Sequence, residues 1–81
     1  MSTEPARTQG YLLNLYMARA GLRTHDELAS LLGIHRVTVG SMLRDSRAAS
    51  TKELGVLGEV LKLTKAEADE LSRAAVELAR G

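Results

Sequence analysis

Apolar residues in this 81-residue chain recur every three or four positions, which is the period of an amphipathic helix. In the first such segment the apolar positions are Leu12, Leu15, Tyr16 and Ala20. Gly21 follows them and indicates the end of a helix. No stretch shows the sustained alternation of a strand, and no Asn-Gly or Asp-Gly hairpin signal is present. The pattern therefore predicts an all-α chain whose first helix covers about residues 8–20.

The stretch from Thr24 to Arg44 has the pattern of two short helices joined by a tight turn. Thr24 and Glu27 form a Thr-x-x-Glu capping box at the start of the first helix, and Gly33 suits its end. Ile34 is placed to plug the corner. The apolar residues of the second helix, over about 35–44, are Val39, Met42 and Leu43. A short helix packed across its neighbour, with small and donor-bearing residues at its free end, suits insertion into a DNA major groove.

Two further helices follow a loop over residues 45–49. Ser-x-x-Glu at Ser50 and Thr-x-x-Glu at Thr64 predict capping boxes that open helix 4 and helix 5, the latter over 64–80. Gly55 and Gly58 lower the helix propensity of helix 4, unless they allow close packing against another helix. The apolar positions of these helices are Leu54, Leu57, Val60 and Leu61 in helix 4, and Leu71, Ala75 and Leu78 in helix 5. We expect a flexible arm over 1–7 and a single domain over 8–81.

Composition narrows the class of protein. The chain has two Tyr, no Phe and no Trp, so its core must be built from aliphatic side chains. It has no Cys, which excludes disulfides and thiolate metal sites, and its polar N-terminus is unlike a signal peptide. We expect a cytoplasmic, nucleoid-associated protein without a membrane segment or cofactor. We also expect no enzymatic activity, because no nucleophile–base pair, phosphate loop or pair of carboxylates is evident.

Charge is distributed unevenly although the formal net charge is only +1. Residues 1–47 hold six Arg and four acidic residues, whereas residues 48–81 hold five basic and six acidic residues. Arg is the better donor for phosphates and guanine edges. Because the net charge is small, the electrostatic field of the protein is modest, and we expect any DNA affinity to depend on local contacts and dimerisation rather than on bulk charge.

The run from Tyr11 to Leu63 resembles the lambda repressor and Cro family of helix-turn-helix domains. The matching residues are Leu12, Leu15, Thr24, Leu28, Ala29, Leu32, Gly33, Ile34, Val39, Met42, Leu54, Leu57 and Leu61. The resemblance implies a five-helix DNA-binding domain whose third helix reads the major groove. Three positions depart from the family: His25 stands for a common Gln, His35 for a common Ser, and Asp45 for a common Gly. His35 should cap the third helix weakly, and the Asp45 side chain should make a local turn bond.

Several residues are candidates for contacts with DNA, and a solvated helix face is the alternative interpretation for each. Those assigned to base edges are Arg36, Val37, Thr38 and Ser41. Those assigned to phosphates are Arg23, Thr24, His25, His35, Arg44 and Arg47, and weaker candidates for the DNA backbone are Thr8, Gln9 and Asn14. Gly40 is unusual within a short helix, and we expect it to allow close packing. The two His do not have the spacing of a metal site.

The sequence predicts a sequence-specific transcriptional regulator, a repressor that binds double-stranded DNA as a homodimer. The family resemblance makes the last helix a candidate dimer face, with Leu71, Ala75 and Leu78 as its residues. Closure of the domain's own core is the alternative role for the same side chains. A second hypothesis is a DNA-binding antitoxin or helical protein-interaction module, which would have a protein partner.

Overall fold

Five helices and no strand are present in the computed structural model, which describes residues 7–81. Their bounds are α1 Gln9–Arg19, α2 His25–Leu32, α3 Arg36–Leu43, α4 Thr51–Val60 and α5 Lys65–Arg80. The all-α class is therefore confirmed, and α1, α3 and α5 lie within about two residues of their expected limits. Of the expected arm over 1–7, residues 1–6 lie outside the described part. None of the described helices combines the length and apolar character needed to cross a bilayer.

Hydroxyl side chains cap four of the five helices. The Thr8, Thr24, Ser50 and Thr64 oxygens each accept a hydrogen bond from a backbone N–H in the first turn. The boxes at Ser50 and Thr64 are complete, since Glu53 and Glu67 accept in return from the cap N–H. At Thr24 the box is only half formed, because the Glu27 carboxylate accepts from the Arg23 N–H and the Thr24 hydroxyl instead.

Side chains from all five helices meet in one apolar core. Leu12 and Tyr16 of α1 are buried as expected, but Leu15 and Ala20 are exposed. Leu13 and Met17 are buried in their place. The prediction followed one stripe of α1, whereas this helix contacts both α3 and α5 and therefore buries a wider face.

The last two helices close this core. Leu57 of α4 and Leu61 directly after it are buried, and Leu71 and Ala75 of α5 are also buried, with 1% and 3% exposure. The expectation that Leu71 and Ala75 form a dimer face is corrected, because the chain itself already covers them. Leu78 is half-buried. A Cβ added at Gly55 or Gly58 would meet no atom of another helix within 4 Å, so these glycines do not serve close helix packing.

Hydrogen bonds attach the end of α3 and the loop after it to the start of α1. Gln9 is fully buried, and its side-chain amide donates to the Met42 and Arg47 carbonyls while its oxygen accepts from the Ala49 N–H. These bonds join α1 to the exit loop, residues 45–49. Gln9 is therefore a structural residue rather than a DNA-backbone contact, and sequence spacing gave no sign of this role.

Gly10 continues this attachment. Its N–H donates to Asp45 Oδ1 at 2.8 Å, and a Cβ at Gly10 would lie 2.2 Å from the Leu43 carbonyl oxygen. Asp45 has φ +60°, which suits the family's common glycine. Its side chain bonds to α1 and not within its own turn, so the expected local bond is wrong. α1 and the end of α3 approach each other closely at Gly10, because glycine has no side chain to separate them.

Ion pairs join α1 and the residues before it to α5 at the surface. Arg19 of α1 contacts Glu67 through both terminal guanidinium nitrogens, and Nε of Arg7, which precedes α1, lies 3.3 Å from Glu70 Oε2. The hydrogen bond from Arg19, aided by the Thr64 N–H, lowers the pKa of Glu67 to about 2. Between these pairs the Tyr16 hydroxyl is buried without a hydrogen-bond partner in the described chain, and burial, then the charges of Glu70 and Glu67, raise its pKa.

Candidate nucleic-acid interface

The turn between α2 and α3 is fixed by backbone geometry. Gly33 adopts the left-handed conformation at φ +69°, where a side chain would be strained. The Ile34 N–H donates to the Ala29 carbonyl at 3.1 Å, and the Ile34 side chain packs half-buried against the core. Ile34 thus plugs the corner as expected, and the turn holds the start of α3 beside the start of α2.

α3 presents one face to the core and another to solvent. Val39 and Met42 are fully buried, whereas Arg36 is exposed and Val37 is 60% exposed. Thr38 and Ser41, expected on the same exposed front, are half-buried. The exposed surface of α3 is therefore concentrated in its first turn, with Thr38 and Ser41 at its edge.

A shallow groove of about 390 Å³ lies between the N-terminal ends of α2 and α3, and we call it the α2–α3 groove. Its lining residues are His25, Asp26, Arg36, Val37, Gly40 and Arg44. Four of the residues assigned to DNA from sequence are therefore brought together here. The groove places two guanidinium groups and one imidazole beside the free end of α2, a combination that suits an anionic ligand.

Gly40 allows side chains to lie across α3. A Cβ at this position would be 3.0 Å from Arg44 Nη1 and 3.5 Å from His25 Nδ1. The Arg44 guanidinium therefore folds back over the bare helix surface towards the His25 ring. The close packing expected at Gly40 is present, and it involves these two polar side chains.

Asp26 is the groove residue that sequence reasoning missed. One of its oxygens lies 3.8 Å from Arg36 Nη1, and both side chains are about two-thirds exposed. An ion pair this exposed contributes little stability, but it neutralises part of the positive charge in the groove. The two-helix pattern alone places the first turn of α2 near that of α3, so this pairing could have been anticipated.

His35 caps α3 with its ring. Its Nδ1 accepts from the Val37 N–H at 3.1 Å while its backbone stays extended, with φ −73° and ψ 144°. The cap that was expected to be weak is therefore present, with an imidazole nitrogen in the position of a hydroxyl oxygen.

The remaining residues assigned to phosphates do not line the groove. Arg23 is exposed just before α2, and Thr24 is occupied as a cap. Arg47 is bound to Glu53 at 2.9 Å in the capping box of α4. Burial acts to raise the pKa of Glu53, but hydrogen bonds from the Ser50 N–H and from Arg47 outweigh it and lower that pKa. Arg47 is thus already engaged within the fold.

Residues 7–81 contain no group of three or more His, Cys, Asp or Glu side chains that could hold a metal ion. Comparisons of the chain with protein-family models, curated proteins and solved structures found no match. The candidate function consequently depends on the geometry of the α2–α3 groove and on the sequence resemblance.

Proposed function

We propose that this chain is a sequence-specific DNA-binding regulator with a lambda-repressor-like helix-turn-helix, in which α3 enters the major groove. The observation that carries the proposal is the first turn of α3, where Arg36 and Val37 are exposed while Val39 and Met42 anchor the opposite face. Recognition helices of this kind contact base edges with their N-terminal residues. The alternative, a merely solvated turn, does not account for the basic groove beside it.

The residues of the α2–α3 groove have different roles in this proposal. Arg36 donates to guanine O6 and N7, and Val37 contacts a thymine methyl group. Arg44 and His25, which approach each other over Gly40, bind a backbone phosphate. Asp26 competes with DNA for Arg36, so the bound state requires the Arg36–Asp26 pair to separate.

Selection of bound duplexes from a random pool tests the proposal. We expect a defined site, with Arg36→Ala losing preference at one or two base pairs. Arg80→Ala is the matched control, because Arg80 is an exposed Arg at the far end of α5. Asp26→Asn should bind all duplexes more tightly, since it removes a negative charge and frees Arg36. Equal losses by Arg36→Ala on selected and random duplexes would remove its assigned role, and no enrichment would overturn the function.

We further propose that the protein represses transcription as a homodimer, which would read two half-sites about 34 Å apart. Because Leu71 and Ala75 are buried, the dimer contact must use other apolar residues. Tyr11 and Leu15 of α1 and Val76 of α5 are exposed. A palindromic selected site and a dimeric mass in light scattering are the expected results. A monomer on a single half-site would contradict the dimer and leave DNA binding intact.

The same exposed apolar residues favour a second candidate function, a DNA-binding antitoxin or other module with a protein partner. A large apolar side chain at the surface is ordinary when it occurs alone, but Tyr11 and Leu15 are four residues apart in α1 and therefore share one exposed face, as side chains of an interaction site do. Leu15→Glu and Val76→Glu distinguish the candidates. Loss of self-association would favour the homodimer, whereas a wild-type chain that is monomeric even on its selected DNA would favour a different partner.

A further inference from the structure

The imidazole of His35 has its two nitrogens in different environments. Nδ1 faces the helix and accepts from the Val37 N–H at 3.1 Å, while the residue as a whole is exposed at the start of α3. A ring nitrogen that accepts a hydrogen bond carries no proton. The neutral ring must therefore hold its proton on Nε2, across the ring from the capped helix end.

This arrangement orients a hydrogen-bond donor. In a serine or threonine cap, such as Thr24 at α2, the one polar atom of the side chain is the oxygen that accepts from the helix N–H. The imidazole reaches further, because its second nitrogen remains available after the first has satisfied the helix. The capping bond also restricts rotation of the ring, so the Nε2–H keeps a defined direction beside Arg36.

We infer that His35 is a DNA-contacting residue, which caps α3 through Nδ1 and donates from Nε2–H to an acceptor on the DNA duplex. This inference rests on the proposed function. The acceptor is a guanine N7 or O6 atom or a phosphate oxygen, all of which accept from a neutral N–H. His35 would act in its neutral form, unlike a cationic histidine that binds phosphate through its charge.

The free protein tests the first half of the inference without DNA. Long-range ¹H–¹⁵N spectra at pH 8, where an ordinary imidazole is neutral, should show the His35 proton on Nε2. His25, whose ring makes no hydrogen bond within the described part of the chain, provides the internal reference. Exchange of the Val37 amide should be slow in the wild type and in His35→Ser, which preserves a cap, and faster in His35→Ala. A proton on Nδ1, or equal exchange in all three proteins, would overturn the inference.

Binding to the selected duplex tests the second half. His35→Ser keeps the cap but removes the ring donor, so we expect its affinity for that duplex to fall about tenfold at unchanged melting temperature. If His35→Ser loses affinity through one base pair alone, the acceptor is a base. If it loses affinity equally on random duplexes, the acceptor is a phosphate. Unchanged affinity on both duplexes would refute the contact.

Failure of the inference and failure of the proposed function give different results. A wild type that binds neither selected nor random duplexes overturns DNA binding and the His35 contact together. A wild type that binds the selected duplex and loses preference in Arg36→Ala, while His35→Ser keeps full affinity for selected and random duplexes, retains the function and removes the His35 contact.

Discussion

The two ends of α3 are held in very different ways. At its C-terminal end the helix and the exit loop are joined to α1 by three hydrogen bonds from buried Gln9 and one from the Gly10 N–H. At its N-terminal end Arg36 and Val37 are exposed, and the contact of Arg36 with Asp26 is a surface ion pair. The hydrogen bonds that hold α3 in the fold are therefore at its C-terminal end, and its exposed side chains are at its N-terminal end.

This difference separates stability from function along a helix of eight residues. Buried polar groups such as Gln9 are costly to leave without partners, so the C-terminal end should tolerate few substitutions. Exposed side chains at the N-terminal end can change with little effect on folding. A ligand-binding turn supported by a rigid attachment is also what recognition requires, because the exposed residues are then held in a fixed orientation.

The largest effect is expected for Gly10→Ala. Its Cβ would lie 2.2 Å from the Leu43 carbonyl oxygen, and a backbone atom cannot move away as a flexible side chain can. We expect a loss of about 3 kcal/mol or more in the free energy of unfolding, measured by urea denaturation followed by circular dichroism. A loss of this size would prevent folding if the domain is marginally stable.

Gly55→Ala is the matched control, since the same change at an open position of α4 should stabilise the protein by about 0.5–1 kcal/mol. If both variants were equally stable, the close approach of α1 to α3 would be wrong.

The second largest effect is expected for Gln9→Ala. The change leaves the Met42 and Arg47 carbonyls and the Ala49 N–H without their partner, and it opens a cavity. We expect a loss of about 2–3 kcal/mol in the same measurement. Asn14→Ala removes an amide that donates to the Gly10 carbonyl at the surface, so its loss should stay below about 0.5 kcal/mol. Similar losses in the two variants would show that the Gln9 hydrogen bonds stabilise the protein no more than the Asn14 hydrogen bond does.

A smaller, pH-dependent effect is expected in the first turn of α4 for Glu53→Gln. Its folded pKa lies below the ordinary 4.5, so the unfolded chain binds the proton more readily. The charged side chain therefore contributes stability at neutral pH, and this contribution is lost as the pH falls below 4.5 and through the folded pKa. We expect the variant to lose roughly 0.5–1 kcal/mol at pH 7 and to converge with the wild type under acid. A difference that stays constant down to about pH 2 would contradict this role of Glu53.

The sequence was informative where one local pattern determines the structure. The hydroxyl caps at Thr24, Ser50 and Thr64, the helix end at Gly33 and the buried side of α3 each depend on residues a few positions apart, and these were predicted. These features need no knowledge of how distant helices pack.

Features that depend on distant contacts were not predictable in this way. Gln9 was assigned to DNA because its partners in the exit loop lie more than 30 residues away. Asp45 was expected to bond locally, since nothing in the sequence indicates that the Gly10 N–H approaches it. Leu71 and Ala75 were assigned to a dimer for a related reason: an apolar helix face looks the same whether its own core or a second copy covers it.

The smallest effect on stability is expected at the exposed end, for Arg36→Ala and Val37→Ala. Each should change the free energy of unfolding by less than about 0.5 kcal/mol, because Arg36 makes only an exposed ion pair and Val37 is 60% exposed. Met42→Ala, at a fully buried position of the same helix, should cost about 2–5 kcal/mol. A loss above about 1 kcal/mol in either exposed variant would mean that this turn is also structural, and weaker DNA binding could then no longer be attributed to a lost contact. If stability is unchanged, any change in base preference can instead be attributed to the lost contact with DNA.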